Sequence, residues 1–408
     1  MPIPTPEVRI GLDIADESFG PFFTLGDATR GVLGSSEWVL AGSILFDVTD
    51  RVRTITVNRG RSRDFADYPA GEVVVTMNNF DRAFDPIYQD SPFFGSIVPR
   101  RELRISSNGI DLFRGWIEDW NLFYSKDGES LVDAIAADAT VILAKQTLTE
   151  FTPTEQLSGA RINEVLTKPE VSWATALRDI DTGQATLGTQ VVAENTNALT
   201  YMQKVAETEP GSLFVDTAGK VRFIQRNSGY SSTDIVTFNQ TDGIPYDNVQ
   251  VIYGSELLYN EVQGIREGGG TAIASNVDSQ DAYGIRQLDI SGLLFSDDTQ
   301  LLDLVVNYAI QYSEPEYRFE SFEVKLQKLD TADQNAVLGL ELGDAVQISF
   351  TPNGITPAIE RFLEVIRINN LIDPQEHIVQ LGFRAIDYPP FVLGDSLFGK
   401  LGTGVLAW

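Results

Sequence analysis

Ser396 is the residue whose type and setting first suggest chemistry, because Gly394-Asp395-Ser396-Leu397 presents a hydroxyl between small and acidic neighbours, as a nucleophilic hydrolase would. Such a serine needs an imidazole to take its proton, and the imidazole needs a carboxylate to orient it, here from a downstream Asp-x-x-His pair. The chain has one histidine, His377, which lies upstream of the serine, and the residue three before it is Pro374 rather than Asp. Only about a dozen residues follow the serine. No base stands in the right place, so hydrolysis by this route is not expected.

Carboxylates are the other candidates. Asp179, Asp181 and Gly183 begin like a calcium-binding loop, but the fifth position is Gly and no Glu stands at the twelfth, so a solvated loop is the simpler reading. Glu118 and Asp119 are adjacent in a strand-like segment, where neighbouring side chains face opposite ways and cannot share a proton. Gly268-Gly269-Gly270 has neither the strand and helix of a dinucleotide fingerprint nor the lysine of a phosphate loop. With no cysteine there are no disulfides or thiolate metal sites, and one histidine cannot build the usual zinc cluster. No cofactor is expected.

The charge points the same way. Against 58 acidic residues stand 30 basic ones, a net charge of −28, which leaves no cation surplus with which to release counterions from a nucleic acid. Solubility is the plain reading of that charge, and a DNA-repelling inner surface is the functional one. The N-terminal MPIPTPEVRIGLDI lacks the basic and apolar regions of a secretory signal, and no apolar run approaches the roughly 20 residues that span a bilayer. The chain is expected to be made in a cytoplasm.

At 408 residues several compact units are expected, at roughly 150 residues each. Short alternating segments at 53–57 (RTITV), 71–77 (GEVVVTM) and 102–105 (ELRI) predict strands, and Asn108-Gly109 predicts a tight hairpin into 110–120. An Ala-rich stretch, 133–146, reads as a weak helix. A stronger one follows Asn195 or Thr196 as cap, carries Leu199, Met202, Val205 and Ala206 on one face, and stops at Pro210-Gly211 before a hairpin turning at 217–219. A second helix is predicted over 296–312 with Ser296 as cap, and a third from Thr331 with Gln334 completing a capping box. Strands return after Gly343, as a closing barrel or sandwich.

The order of several motifs carries a resemblance. Asn79, Asp81, Arg82, Phe84, Asp85 and Pro86, with Phe80 in the variable slot, are followed by 95–100 (GSIVPR) and 113–118 (FRGWIE). This succession resembles the N-terminal half of minor tail proteins of actinobacterial siphophages. It continues through TALRDIDTGQ, YMQKVAETEPGSLFVDTAGKVRF, LYNEVQGIREGG, LGLELGDAVQI and FGKLGTGVLAW. That family is similar to baseplate hub and tail-associated proteins. The resemblance implies an α+β, mainly β fold with two tail-tube-like β-barrel domains and a smaller mixed α/β region between them. It also implies a homo-trimer whose six barrels match a hexameric tube.

The expected organisation is an N-terminal extended region at 1–50, a first barrel-like domain at 51–150 and a mixed α/β region at 151–230. An α+β region follows at 231–343, with its helix near 297–312, then closing barrel strands at 344–388 and an apolar C-terminal arm at 389–408. Interface candidates are Arg100, Arg101, Trp116 and Trp120, with Phe391, Phe398 and Trp408 in the arm. Trp116 and Trp120 are predicted to share one strand face. The expected role is a non-enzymatic tail-tip hub that closes the tube and anchors receptor-binding proteins. Its expected partners are a distal tail protein ring above, the tape measure protein and other minor tail proteins, with genomic DNA passing unbound. A hexameric distal tail adaptor, a tail-associated cell-wall hydrolase and a carbohydrate-binding module are the alternatives.

Overall fold

Alternation of apolar side chains lays out the central sheet. In Val52–Gly60 the side chains of Ile55 and Val57 are buried while Thr54 and Asn58 face solvent, and in Glu72–Asn78 the buried set is Val73, Val75 and Met77. The computed structural model describes residues 3–12, 44–226, 235–240 and 243–386. Within them a 13-stranded sheet runs Asp247–Gly254, Glu316–Lys325, His377–Ala385, Ile359–Ile372, Val52–Gly60, Glu72–Asn78, Ser130–Ala137, Ile110–Tyr124, Glu102–Ser107, Pro6–Leu12 and Ile44–Asp47. Two further strands, Val236–Asn239 and Ala345–Phe350, pair beside Ile359–Ile372.

The early and late β regions therefore meet directly. Val52–Gly60 pairs antiparallel with Ile359–Ile372, in the register Ile372 to Ile55, and with Glu72–Asn78 on its other side. Both edges of Val52–Gly60 are thus taken, and a barrel closes only when its first and last strands find each other. The strand path stays open from Asp247–Gly254 to Ile44–Asp47, and among the described residues no pairing closes either half. Gly60 makes the junction possible: its φ is +105°, and a Cβ there would sit 2.2 Å from the Ile366 carbonyl oxygen.

A second core lies beside the sheet. It gathers the helices Ser158–Thr167, Ala198–Thr208 and Asp298–Gln311 around Ile162, Met202, Val205, Phe223, Leu301 and Val305. Buried polar groups fasten the two regions. Arg59 reaches Glu341 at 2.7 Å and the Val215 carbonyl at 2.9 Å, and Glu341 also accepts from the Thr217 amide at 2.9 Å. The expected hairpin at Asn108-Gly109 is present, with φ of 50° and 77°, and the Asn108 side chain donates to Asn335 on the helix Thr331–Leu338 at 3.1 Å.

Several expectations need correction. Most of 133–146 is not helical: Ser130–Ala137 is hydrogen-bonded to strands on both sides, and that pairing overrides the helix preference of its alanines, leaving only Thr140–Leu143. Each of the three helices is capped one or two residues from the expected place. Asn197 accepts from the Thr200 amide, Asp297 rather than Ser296 accepts from Thr299 and Gln300, and Asp330 accepts from Asp333. Gln334 completes no capping box, since its buried amide donates to the carbonyls of Leu326 and Leu329. The 389–408 arm, with Phe391, Phe398 and Trp408, and the Ser396 tetrapeptide lie outside the described residues. Among those described, no helix is long and apolar enough to cross a membrane.

Candidate interface

The loop between Glu72–Asn78 and Glu102–Ser107 brings several of the singled-out residues together. Asn79 is fully buried, and its side-chain oxygen accepts from the Phe84 amide at 2.9 Å. Phe84 is buried with it, stacked on Phe93 with centroids 5.4 Å apart and on Trp120 at 5.8 Å; Phe93 in turn meets Phe46 edge-on. Burial pushes the Asp85 carboxyl up, but hydrogen bonds from Arg82, the Ile87 amide and the Tyr124 hydroxyl outweigh it and hold the group below its usual value. Arg82 tolerates φ of 57° in the turn. These contacts pin the loop from beneath.

Its exposed residues mix charged and polar side chains, Asp81, Arg82, Gln89 and Asp90, with large apolar ones. Phe80 is 60% exposed, Ile87 80% and Phe94 50%, with Val98, Phe123 and Tyr124 also exposed. A loop so thoroughly anchored, yet exposing Phe80, Ile87 and Phe94, has the character of a contact surface. Arg51 holds Asp81 by two bonds of 2.8 Å, and the Arg53 guanidinium lies 5.9 Å from the Phe80 ring centroid, so the edge of the platform is charged.

Arg100 and Arg101 close the loop from within the chain. Arg100, with φ of 70°, pairs with Glu118 at 3.1 Å, and its amide donates to Ile117; Arg101 donates to the Ser96 carbonyl at 2.9 Å. Trp116 and Trp120 do not share a face. The register shifts between Ile117 and Asp119, so Glu118 is an extra residue and the alternation inverts. Ile117, Trp120 and Leu122 consequently stand opposite Ala136, Ala134 and Val132 on the core side, and Trp120 donates through its indole to Val98 at 3.2 Å. Trp116 is left on the other side, opposite Glu102 and Ala137.

The chemical candidates are dispersed. His377 is fully buried, with Nε2 3.0 Å from the Asn370 side-chain oxygen, and burial pushes its pKa down to about 4. Asp181 accepts from the Gln225 amide at 3.0 Å, and Asp179 lies 3.7 Å from Arg222. Among the described residues no group of three or more His, Cys, Asp and Glu side chains is placed to hold a metal. Sequence reasoning passed over Phe80, Ile87 and Phe94. Their signal was large apolar residues inside a segment rich in Asp, Pro and Gly, where a solvated turn would carry polar ones.

No protein-family model matches the sequence, and no curated protein matches it either. Solved structures do. The 43 kDa tail protein of prophage MuSo2 from Shewanella oneidensis superposes with a TM-score of 0.56 at 13% identity, over 84% of this chain and 96% of that one. A tail protein from Neisseria meningitidis gives 0.57 at 8% identity, over 94% and 96%. The chain shares the fold of these tail proteins. At such low identity the likeness lies in the path of the backbone rather than in side chains, and it takes in the mainly β architecture of nearly the whole molecule.

Proposed function

We propose that this chain is a structural protein of a phage tail, a hub subunit at the distal end of a siphophage tail tube that assembles as a homo-trimer. The observation that carries the reading is the fold shared along almost the full length of two tail proteins, one of them from a prophage. The anchored loop that exposes Phe80, Ile87 and Phe94 supports it, because an isolated protein gains nothing by holding such a surface rigidly toward water. The resemblance of the motif order to minor tail proteins of actinobacterial siphophages supports the distal position. In this reading the two halves of the sheet form walls of barrel-like rings, and an excess of acidic side chains lets DNA pass without adhering. A distal tail protein ring, the tape measure protein and receptor-binding proteins are its neighbours. Arg100, Arg101, Trp116, Trp120, Phe391, Phe398 and Trp408 are proposed to lie at or behind contacts between subunits. No catalytic step is assigned.

Images of intact tail tips, averaged without imposed symmetry, test the reading. Three copies of this chain at the end of the tube are expected. Six copies would make it a distal adaptor, and its absence from the particle would overturn the structural role.

A further inference from the structure

Phe65 stands in a backbone conformation that its side chain does not favour. Its φ is 61°, in the left-handed region where a Cβ crowds the chain and Gly or Asn is the usual occupant, yet the residue is an aromatic one, 41% exposed. Such a conformation persists only where contacts impose it. The contacts here are aromatic. The Phe65 ring meets Tyr312 with centroids 4.9 Å apart, and meets Tyr308 and Tyr259 edge-on at 5.3 and 6.0 Å.

These tyrosines mark one place in the fold. Gly254 and Glu316 are paired on neighbouring strands, so residues 255–315 leave the large sheet and return to it at adjacent points. Just beyond that pair the two linking segments touch again, where the Tyr259 amide donates to the Tyr312 carbonyl at 2.7 Å. The helix Asp298–Gln311 and its neighbours thus hang from two short segments side by side, which is the geometry of a hinge. Leu301 and Val305 build this unit into the second core. That core is also joined to the sheet where Arg59 donates to the Val215 carbonyl, so Phe65 governs its tilt and not its attachment.

The loop 61–68 is fixed at its base. The Arg61 amide donates to the Ile366 carbonyl at 2.8 Å, the Arg61 guanidinium lies 4.8 Å from the Tyr68 ring centroid, and Tyr68 packs on Phe214. Its tip is held far less. Ala66 makes two long hydrogen bonds of 3.4 Å, to Arg63 and from Arg61. Asp64 lies 4.0 Å from Arg61 and 3.9 Å from Arg384, and its Oδ1 accepts no hydrogen bond among the described residues. The Arg63–Glu256 pair, at 3.1 Å, is exposed at both ends and contributes little. A cavity of about 320 Å³ adjoins the tip, with Asp64, Tyr312, Ile366 and Phe383 in its walls, and leaves room for movement.

We infer that Phe65 is a latch: seated among the tyrosines it holds the second core in one orientation on the sheet, and withdrawn it lets the paired linkers turn to a second. The latch is independent of the assembly in which the chain takes part.

The chain has no cysteine, so spin labels go only where a cysteine is introduced. Double electron-electron resonance on the full-length chain tests the latch, with labels at Gln375→Cys, in the turn between Ile359–Ile372 and His377–Ala385, and at Asp281→Cys on the helix Val277–Tyr283. Both sites are exposed. One distance is expected with Phe65 in place, and Phe65→Tyr, which keeps the ring, should leave it unchanged. Phe65→Asn suits the left-handed backbone but removes the ring, and should raise a second, displaced distance about tenfold above its occupancy in the parent. Hydrogen exchange in Phe65→Asn should quicken about tenfold at 255–260 and 311–315 and keep parent rates in Ile359–Ile372. A single unchanged distance in Phe65→Asn, or a broadened one without a second maximum, overturns the proposal. Exchange quickened through the whole chain does so too, since Phe65 would then be a packing residue whose loss weakens the fold everywhere.

Discussion

Phe80 and Phe84 stand four positions apart in one loop and do opposite things. Phe84 is fully buried between Phe93 and Trp120, so Phe84→Ala should cost about 3–5 kcal/mol, read by denaturant unfolding, because the removed ring leaves a cavity. Phe80 and Ile87 are mostly exposed, so Phe80→Ser with Ile87→Ser should change stability by less than about 1 kcal/mol while impairing incorporation into particles. Equal losses of stability in the two variants would count against the loop as a contact surface. His377 adds a pH dependence. Its folded pKa, about 4, lies below the ordinary value of 6.5, so protons bind the unfolded chain first. The stability it contributes is complete above about pH 6.5 and is lost as pH falls toward 4, with a ceiling on the order of 3 kcal/mol. Thermal melts of His377→Gln across that window should show a shallower loss than the parent; parallel curves would remove His377 as the cause.

Among the elements, the bulge in Ile110–Tyr124 decides most. Deleting Glu118 would take out the extra residue and leave Ile117, Asp119 and Trp120 in unbroken register against Ala136, Ile135 and Ala134, so Trp120 and Leu122 keep the core side and the Arg100 ion pair is lost. A folded variant with native tryptophan signals is expected, monitored by tryptophan fluorescence and near-ultraviolet circular dichroism. Loss of cooperative unfolding would show that the bulge itself is needed for the fold. The joint between the two regions rests on Arg59 and Glu341, whose side chains are 4% and 12% exposed. Arg59→Met strands a buried carboxylate and should cost about 3–5 kcal/mol, whereas adding Glu341→Leu should return a good part of it. Chemical denaturation of the single and double variants measures the difference. If the double variant is no more stable than the single, the charge pair is not what couples the regions.

For the whole molecule, the open sheet and the exposed platform make assembly the question. Replacing Ser396 by Ala should leave infectivity unchanged, with plaque counts on the host as the measure, since the one histidine, His377, is buried with Nε2 beside the Asn370 side-chain oxygen. Turnover of ester or cell-wall substrates that this substitution abolishes would instead make the chain an enzyme. The sequence by itself determined the short-range features. Strand alternation fixed Val52–Gly60 and Glu72–Asn78, Asn108-Gly109 supplied the positive φ of its turn, and helical spacing marked the buried faces of Ala198–Thr208 and Asp298–Gln311. These depend on neighbours a few residues away, which any reading of the chain can see. Tertiary structure alone decided which side of Ile110–Tyr124 holds Trp120, that Ser130–Ala137 is strand rather than helix, and that Val52–Gly60 lies against Ile359–Ile372. Each turns on a partner strand, and for the last that partner lies hundreds of residues away, so one extra residue in a ladder or one occupied edge reverses what local pattern predicts.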